Sequence, residues 1–276
     1  MAATKSEELQ ALAQRVADAL PEDVVEEVVL TGSVSRGMAD EVSDIEMLLI
    51  TREPLELDEC FAFAGAAGLE GLDTWGAREG PARRVSGYRE GVPLELIWWP
   101  REFAEERVDA LFAGEVTSTA DALFHGVALR TSGLLEAWQE RLREYPEELA
   151  AAQIEEAATP WGGFTPAGVL TIIRPDERLS LIEWMFDGAN RVLKLVYALN
   201  RVWPPTTKRL AVRAERLAIK PDRLAERIEE ALTEPDPKRA LLVMTELELD
   251  AVQLAPSGPN VDRARAWLAP AAELLR

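Results

Sequence analysis

The sequence predicts an α+β N-terminal domain followed by a helical C-terminal domain, and three observations lead there. Short strand-like runs occur only before Pro100. Beyond Pro100 almost every segment repeats its apolar residues at helical spacing. Prolines such as Pro160, Pro175, Pro204, Pro221 and Pro235 punctuate that second part, as expected between helices. Strands first and helices later is the pattern of a sheet domain joined to a helical one.

Thr4-Lys5-Ser6-Glu7 reads as a capping box, followed by Leu9, Leu12, Val16 and Leu20 on one helical face until Pro21. Val28-Val29-Leu30 reads as a short buried strand, Gly32 to Asp40 as a loop with a little helix, and Ser43 to Ile50 as a second strand. Residues 56–68 look helical, and Gly71 to Gly80 is a glycine-rich loop. Residues 82–90 and 92–98 read as two strands joined at Glu90-Gly91, a plausible hairpin turn. Helical periodicity then covers 101–113, 133–144, 146–158, 177–201, 206–218, 221–232, 236–253 and 260–275. The domain boundary is expected within 115–132, dividing the chain into 1–125 and 126–276.

The chain has 276 residues, 47% of them hydrophobic, enough for a substantial core in one or two domains. No uncharged apolar run is long enough to span a membrane. Residues 1–20 carry Glu7, Glu8 and Asp18 and lack a basic and an apolar region, so no signal peptide is expected. The single cysteine, Cys60, excludes an intramolecular disulfide and a cysteine-rich zinc site, and it lies among Phe61 and Phe63 as a core residue would. A cytoplasmic protein is the default expectation. The lone histidine, His125, makes histidine triads and His-rich metal sites poor candidates. Any metal should be a hard cation on carboxylates. The net charge is −19, and residues 1–150 hold 31 acidic against 13 basic side chains. Nucleic acid wants a basic footprint, so no nucleic-acid partner is expected. An acidic cleft concentrates cations, which suits a cationic partner, although acidity also serves solubility alone.

The informative segment is Gly32-Ser33-Val34-Ser35-Arg36-Gly37 followed by Ser43-Asp44-Ile45-Glu46. Side chains at i and i+2 of a strand share a face, so Asp44 and Glu46 project together. Adjacent carboxylates repel and are costly to desolvate, and a divalent cation resolves both problems. Magnesium takes a few carboxylates plus phosphate oxygens. Gly32 allows close backbone approach to a phosphate, to which Ser33 can donate. The ordinary alternative is a solvated strand face.

This run resembles the signature of the DNA polymerase β-like nucleotidyltransferases, and Ser43-Asp44-Ile45-Glu46-Met47 is similar to the kanamycin (aminoglycoside) nucleotidyltransferase type. The resemblance covers 28–50 well and 92–105 less closely; the helical domain resembles the family in character only. Many relatives have aspartate where this chain has Glu46, and the longer arm changes the reach of that ligand. The resemblance implies a small mixed β-sheet nucleotidyltransferase domain with a helical substrate- and nucleotide-binding domain after it. It implies a third metal-binding acid on a later strand, matched by Glu95, the only charge between Val92 and Pro100. Two Mg²⁺ ions would then sit on Asp44, Glu46 and Glu95, with Gly32, Ser33 and Arg36 toward the nucleotide.

In the helical domain Glu183, Asp187, Asn190 and Lys194 form a polar stripe at helical spacing, ordinarily a solvated face. The resemblance implies that Asp187 is the general base and that Arg191 meets the nucleotide phosphates. A basic cluster spans 200–227; most of it reads as solvated charge, with Lys208 and Arg209 best placed for a nucleotide. Trp98, Trp99, Trp161 and Trp184 are core residues or a stacking wall for a sugar ring or base.

The activity so implied is transfer of a nucleoside monophosphate from ATP or another nucleoside triphosphate to a hydroxyl of a small, cationic, aminoglycoside-like acceptor, an antibiotic-resistance chemistry. Dimeric relatives share their sites between subunits, so a homodimer is compatible. Two rivals are AMP transfer to a protein hydroxyl, as in toxin–antitoxin nucleotidyltransferases, and a catalytically idle, nucleotide-binding member of the fold.

Overall fold

The capping box forms as read: Thr4 Oγ1 accepts from the Glu7 amide at 3.3 Å, and Glu7 Oε2 accepts from the Thr4 amide at 2.7 Å. It starts α1 (Lys5–Ala19), whose Leu9, Leu12, Ala13 and Val16 are buried. The computed structural model describes residues 4–75, 80–159, 173–174 and 178–276. Two compact units divide the chain, Met1–Glu144 and Tyr145–Arg276. The first is a mixed sheet with helices and the second is helical among its described residues, so the α+β architecture expected from the sequence is present.

After α1 the first unit continues through β1 (Val25–Thr31), the single turn α2 (Gly32–Ser35), β2 (Ile45–Thr51), α3 (Leu57–Ala66), β3 (Glu70–Asp73), β4 (Arg83–Arg89), β5 (Val92–Pro100), α4 (Arg101–Phe112), α5 (Ser118–Phe124), β6 (Val127–Arg130) and α6 (Leu134–Leu142). The sheet order is β3-β4-β5-β2-β1-β6. The β2–β5 pair is parallel and the other pairs are antiparallel. Ile45, Met47 and Leu49 of β2, with Leu94, Leu96 and Trp98 of β5, form one buried cluster with the apolar faces of α1 and α3. Alternate residues such as Val29, Leu48 and Ile50 are buried as well, and α4, α5 and α6 pack against β5, β2 and β1. A sheet buried on both faces explains why these strands read as near-continuous apolar runs. The β4–β5 hairpin turns at Glu90 and Gly91, both with positive φ (54° and 77°), the conformation a tight hairpin turn requires.

Three segments depart from the sequence reading. The glycine-rich stretch read as loop from Gly71 begins inside an edge strand, Glu70–Asp73, that pairs with β4. The close approach relies on Gly87, where a Cβ would lie 2.9 Å from the Glu70 carbonyl. The stretch 115–132, expected to hold the domain boundary, contains α5 and β6, and β6 pairs with β1. There Gly126 lets the chain pass, because a Cβ would lie 2.7 Å from Val29 Cγ1. The sheet unit therefore runs to Glu144, beyond the boundary at 125 read from the sequence. In the second unit the helix expected over 206–218 covers only Leu210–Glu215.

A buried carboxylate helps close the first unit. Glu27 Oε2, on β1, accepts from Ser132 N at 2.5 Å, Ser132 Oγ at 2.8 Å and Leu134 N at 3.4 Å, and so caps the start of α6. Arg130 Nη2 donates to the carbonyls of Ala17 (2.6 Å) and Leu20 (2.9 Å), tying the end of α1 to the sheet.

The second unit contains α7 (Glu147–Ala157), α8 (Arg178–Leu199), α9 (Leu210–Glu215), α10 (Leu224–Thr233), α11 (Pro237–Gln253) and α12 (Pro259–Leu275). Asp236 caps α11 by accepting from Arg239 N at 2.9 Å, with Pro237 in the first turn. Met185, Val192 and Val196 of α8 share a core with Leu241, Met244 and Leu247 of α11. No helix among the described residues is long and apolar enough to cross a membrane.

Candidate functional site

The chemistry-bearing residues of the first unit gather where β1 ends and β2 and β5 begin. Thr31 ends β1 and Gly32 follows with φ +73°, a left-handed backbone that glycine adopts without strain. The chain makes one helical turn, closed by Met38 N donating to Ser33 O at 2.9 Å, and returns to β2 through Asp44.

Register then sets the geometry. Glu46 faces Thr31 on one side and Glu95 on the other, the latter as its partner in the parallel β2–β5 pair. Adjacent strands lie about 4.8 Å apart, and directly opposed residues share a sheet face. The two carboxylates therefore stand side by side on the face opposite Ile45, Met47, Leu94 and Leu96. Asp44 immediately precedes β2, is half-buried, and has the same strand parity as Glu46. The absent side chain of Gly32 makes room for Glu46, since a Cβ there would lie 3.1 Å from the Glu46 carboxyl carbon and closer still to Oε2.

Two like charges facing each other destabilise a sheet unless a cation joins them. Arg84, on β4, supplies one: its Nε lies 3.1 Å from Glu95 Oε1. Its guanidinium carbon also lies 4.0 Å from the centroid of the Trp75 ring, a cation–π contact. Among the described residues, no three His, Cys, Asp or Glu side chains are grouped closely enough to hold a metal ion. The three acids Asp44, Glu46 and Glu95 are thus placed at one end of the sheet without forming a closed three-carboxylate cage.

Arg36, expected to face a nucleotide, is held by protein partners. Nη1 donates to Gly32 O at 2.6 Å, and Nη2 donates to Asp121 O at 3.1 Å and Asp121 Oδ2 at 2.5 Å. Both side chains are largely buried, and His125 Nε2 lies 3.6 Å from the other Asp121 oxygen. The guanidinium clamps the Gly32–Ser33 turn onto α5. Asp121 and Arg84 are the residues that sequence reasoning missed. Asp121 lies in the stretch 115–132 expected to hold the domain boundary, and Arg84 is one of two adjacent arginines in a strand with no local sign of which faces Glu95.

In the helical unit Asp187 is half-buried on α8, and Glu183 and Asn190 are exposed. Lys194 pairs with Glu156 of α7 at 2.6 Å. Arg191, expected to meet phosphate, pairs with the buried Glu248 of α11, its Nη2 lying 2.5 Å from Glu248 Oε1. Gly188 admits that carboxylate, because a Cβ would lie 3.2 Å from Glu248 Oε1. Arg191 thereby joins α8 to α11. Lys208 is exposed in the turn before α9, and Arg209 caps that helix in a left-handed conformation (φ 58°). Of the tryptophans considered for stacking, Trp98 is buried in the sheet core, Trp184 packs on the helical core, and Trp99 meets Phe103 edge-on at 5.5 Å. Trp161 lies outside the described residues. Cys60 is buried, and desolvation pushes its thiol up to about 12, so it is an inert core residue.

No protein-family model matches the chain, and no curated protein matches it. Among solved structures, a nucleotidyltransferase-like protein from Exiguobacterium sibiricum 255-15 aligns over 97% of this chain and 72% of its own, at 14% identity and a TM-score of 0.32. A likeness of that size leaves the family unassigned.

Proposed function

We propose that this chain is a nucleotidyltransferase, moving a nucleoside monophosphate from ATP or another nucleoside triphosphate to the hydroxyl of a small acceptor. The observation that carries the reading is the opposition of Glu46 and Glu95 in parallel register, beside a Gly32-Ser33 turn that a side chain would block. Few structural needs place two facing acids on a sheet, and divalent-cation binding is one of them.

The donor chemistry suits a hard divalent cation, because the opposed Glu46 and Glu95 offer carboxylate oxygens only. Asp44, Glu46 and Glu95 would hold magnesium. When bound, it would supply charge neutralisation at the triphosphate and at the attacking oxygen. Gly32 would meet the triphosphate through its backbone amide, with Glu46 filling the space beside its Cα, and the Ser33 hydroxyl would donate to the outer phosphates. Arg36 keeps that turn in place through Gly32 O and Asp121. Asp187 would take the proton of the acceptor hydroxyl. Lys208, exposed before α9, is the remaining candidate phosphate contact. Arg191, held by Glu248, would reach a phosphate only by leaving that carboxylate.

The acidic balance of residues 1–150 favours a cationic acceptor, in keeping with the aminoglycoside resemblance. The test is an acceptor screen with labelled ATP and Mg²⁺, read by mass shift, with polycationic aminoglycosides, neutral sugars and proteins as arms. A nucleotide-sized mass gain on a cationic acceptor that disappears in Asp44→Asn supports the reading. Gain on protein alone would favour the AMP-transferring rival. One observation favours an idle, nucleotide-binding role: Arg84 is paired to Glu95 and the acids do not close into a cage. Nucleotide binding without turnover on any acceptor would establish that rival.

A further inference from the structure

The placement of Arg84 has a consequence for how the site would load. Arg84 faces Ile97 across the β4–β5 pair, whereas Glu95 faces Ser86. The arginine therefore reaches diagonally to bring Nε within 3.1 Å of Glu95 Oε1. Its guanidinium then has the carboxylate as one partner and the Trp75 ring, 4.0 Å away, as a second. The Arg84 side chain keeps 33% of its exposure and Trp75 keeps 58%, so solvent reaches this edge. Glu95 keeps only 16% and stands opposite Glu46, so it needs a counter-charge.

We propose that Arg84 competes with the divalent cation for Glu95: it neutralises the Glu46–Glu95 pair until a cation binds, then withdraws onto Trp75. The inference rests on the proposed metal site. Arginine suits the role, because its planar group can pair with a carboxylate and stack on an aromatic face at once. Withdrawal costs little if the Trp75 contact survives, so the ring makes Arg84 a removable counter-ion. Because cation binding must first break the pair, apparent affinity is lowered by the fraction of sites with Glu95 released. The pair thus sets a threshold concentration and keeps two facing acids compatible with a stable sheet below it.

The test is calorimetric titration of the full-length chain with Mn²⁺, comparing the native protein with Arg84→Gln, Arg84→Lys and Glu46→Gln. Arg84→Gln should tighten Mn²⁺ binding roughly two- to fivefold, the scale of removing one competing ion pair. Arg84→Lys keeps the charge but not the planar stack, so it should fall between the two; it also serves if Arg84→Gln melts early. Glu46→Gln should lose most Mn²⁺ binding. Unchanged or weaker binding in both Arg84 variants, with Glu46-dependent binding in the native chain, would overturn the competition and leave the metal site standing. Native binding that is absent or indifferent to Glu46→Gln would overturn the site, and the competition with it.

Discussion

Gly32 and Glu46 occupy one space: the Glu46 carboxylate lies where a Gly32 side chain would be. The two residues come from different elements, α2 and β2, and the β1–β2 register holds them together through Thr31 and Glu46. Gly32→Ala should therefore act twice. The left-handed φ of +73° is strained for alanine, a cost of about 1–2 kcal/mol. The new methyl must also displace the Glu46 carboxylate. The expected outcome is a lowered melting temperature together with lost Mn²⁺ binding, read by thermal denaturation and calorimetry.

Asp44→Asn and Glu46→Gln change charge with hardly any change in volume. Transfer activity should be abolished in both while the melting temperature stays within a few degrees of native or rises, because like-charge repulsion is relieved. Native turnover in Asp44→Asn would remove that residue from the site.

Asp121→Asn leaves Arg36 without its charged partner at a site where both side chains are largely buried. Breaking a buried pair from one side costs about 3–5 kcal/mol. Nucleotide affinity should fall with stability, because the Gly32 carbonyl is held by the same guanidinium. A double-mutant cycle with Arg36→Met should give a large coupling energy. Additive losses would show that the clamp does not act as a unit.

On α8, Arg191 and Asp187 should behave in opposite ways. Arg191→Ala strands the buried Glu248 carboxylate and should destabilise the chain by several kcal/mol in denaturant unfolding. Asp187→Asn should leave stability nearly unchanged and cut kcat on the order of 10²- to 10⁴-fold, the range for losing a general base. An Asp187→Asn variant with native kcat would make Glu183 the next candidate.

Cys60 should resist thiol reagents near pH 8 in the native chain and react promptly once denatured. Burial raises its pKa from 9.0 to about 12. A raised pKa means the folded state favours the neutral thiol. That contribution is complete below about pH 9 and is lost as pH climbs from 9 toward 12. Rapid labelling under native conditions would contradict the burial of α3 on the sheet.

Local patterns carried much of this structure. The α1 capping box, the Glu90-Gly91 hairpin and the proline-started α11 follow from residues within a few positions of each other, so their causes are written side by side in the chain. The same holds for the Gly32-Ser33 turn and for the parity of Asp44 and Glu46. The edge strands β3 and β6 were not legible, because each depends on a distant glycine, Gly87 for β3, or on pairing with the distant β1 for β6.

By itself, the sequence determined the order of a sheet unit and a helical unit, the turn at Gly32, and the shared strand parity of Asp44 and Glu46. Periodicity and turn chemistry are local, and a single stretch of chain expresses them. Only the tertiary structure decided which charges meet. Register set Glu95 against Glu46, strand packing brought Arg84 to Glu95, and helix packing drew Arg36 to Asp121 and Arg191 to Glu248. An ion pair depends on distance in space, and the separation of its partners along the chain leaves no periodic trace. For that reason the sequence gives no sign that Arg36 and Arg191, both expected near the nucleotide, pair with Asp121 and Glu248 in the folded protein.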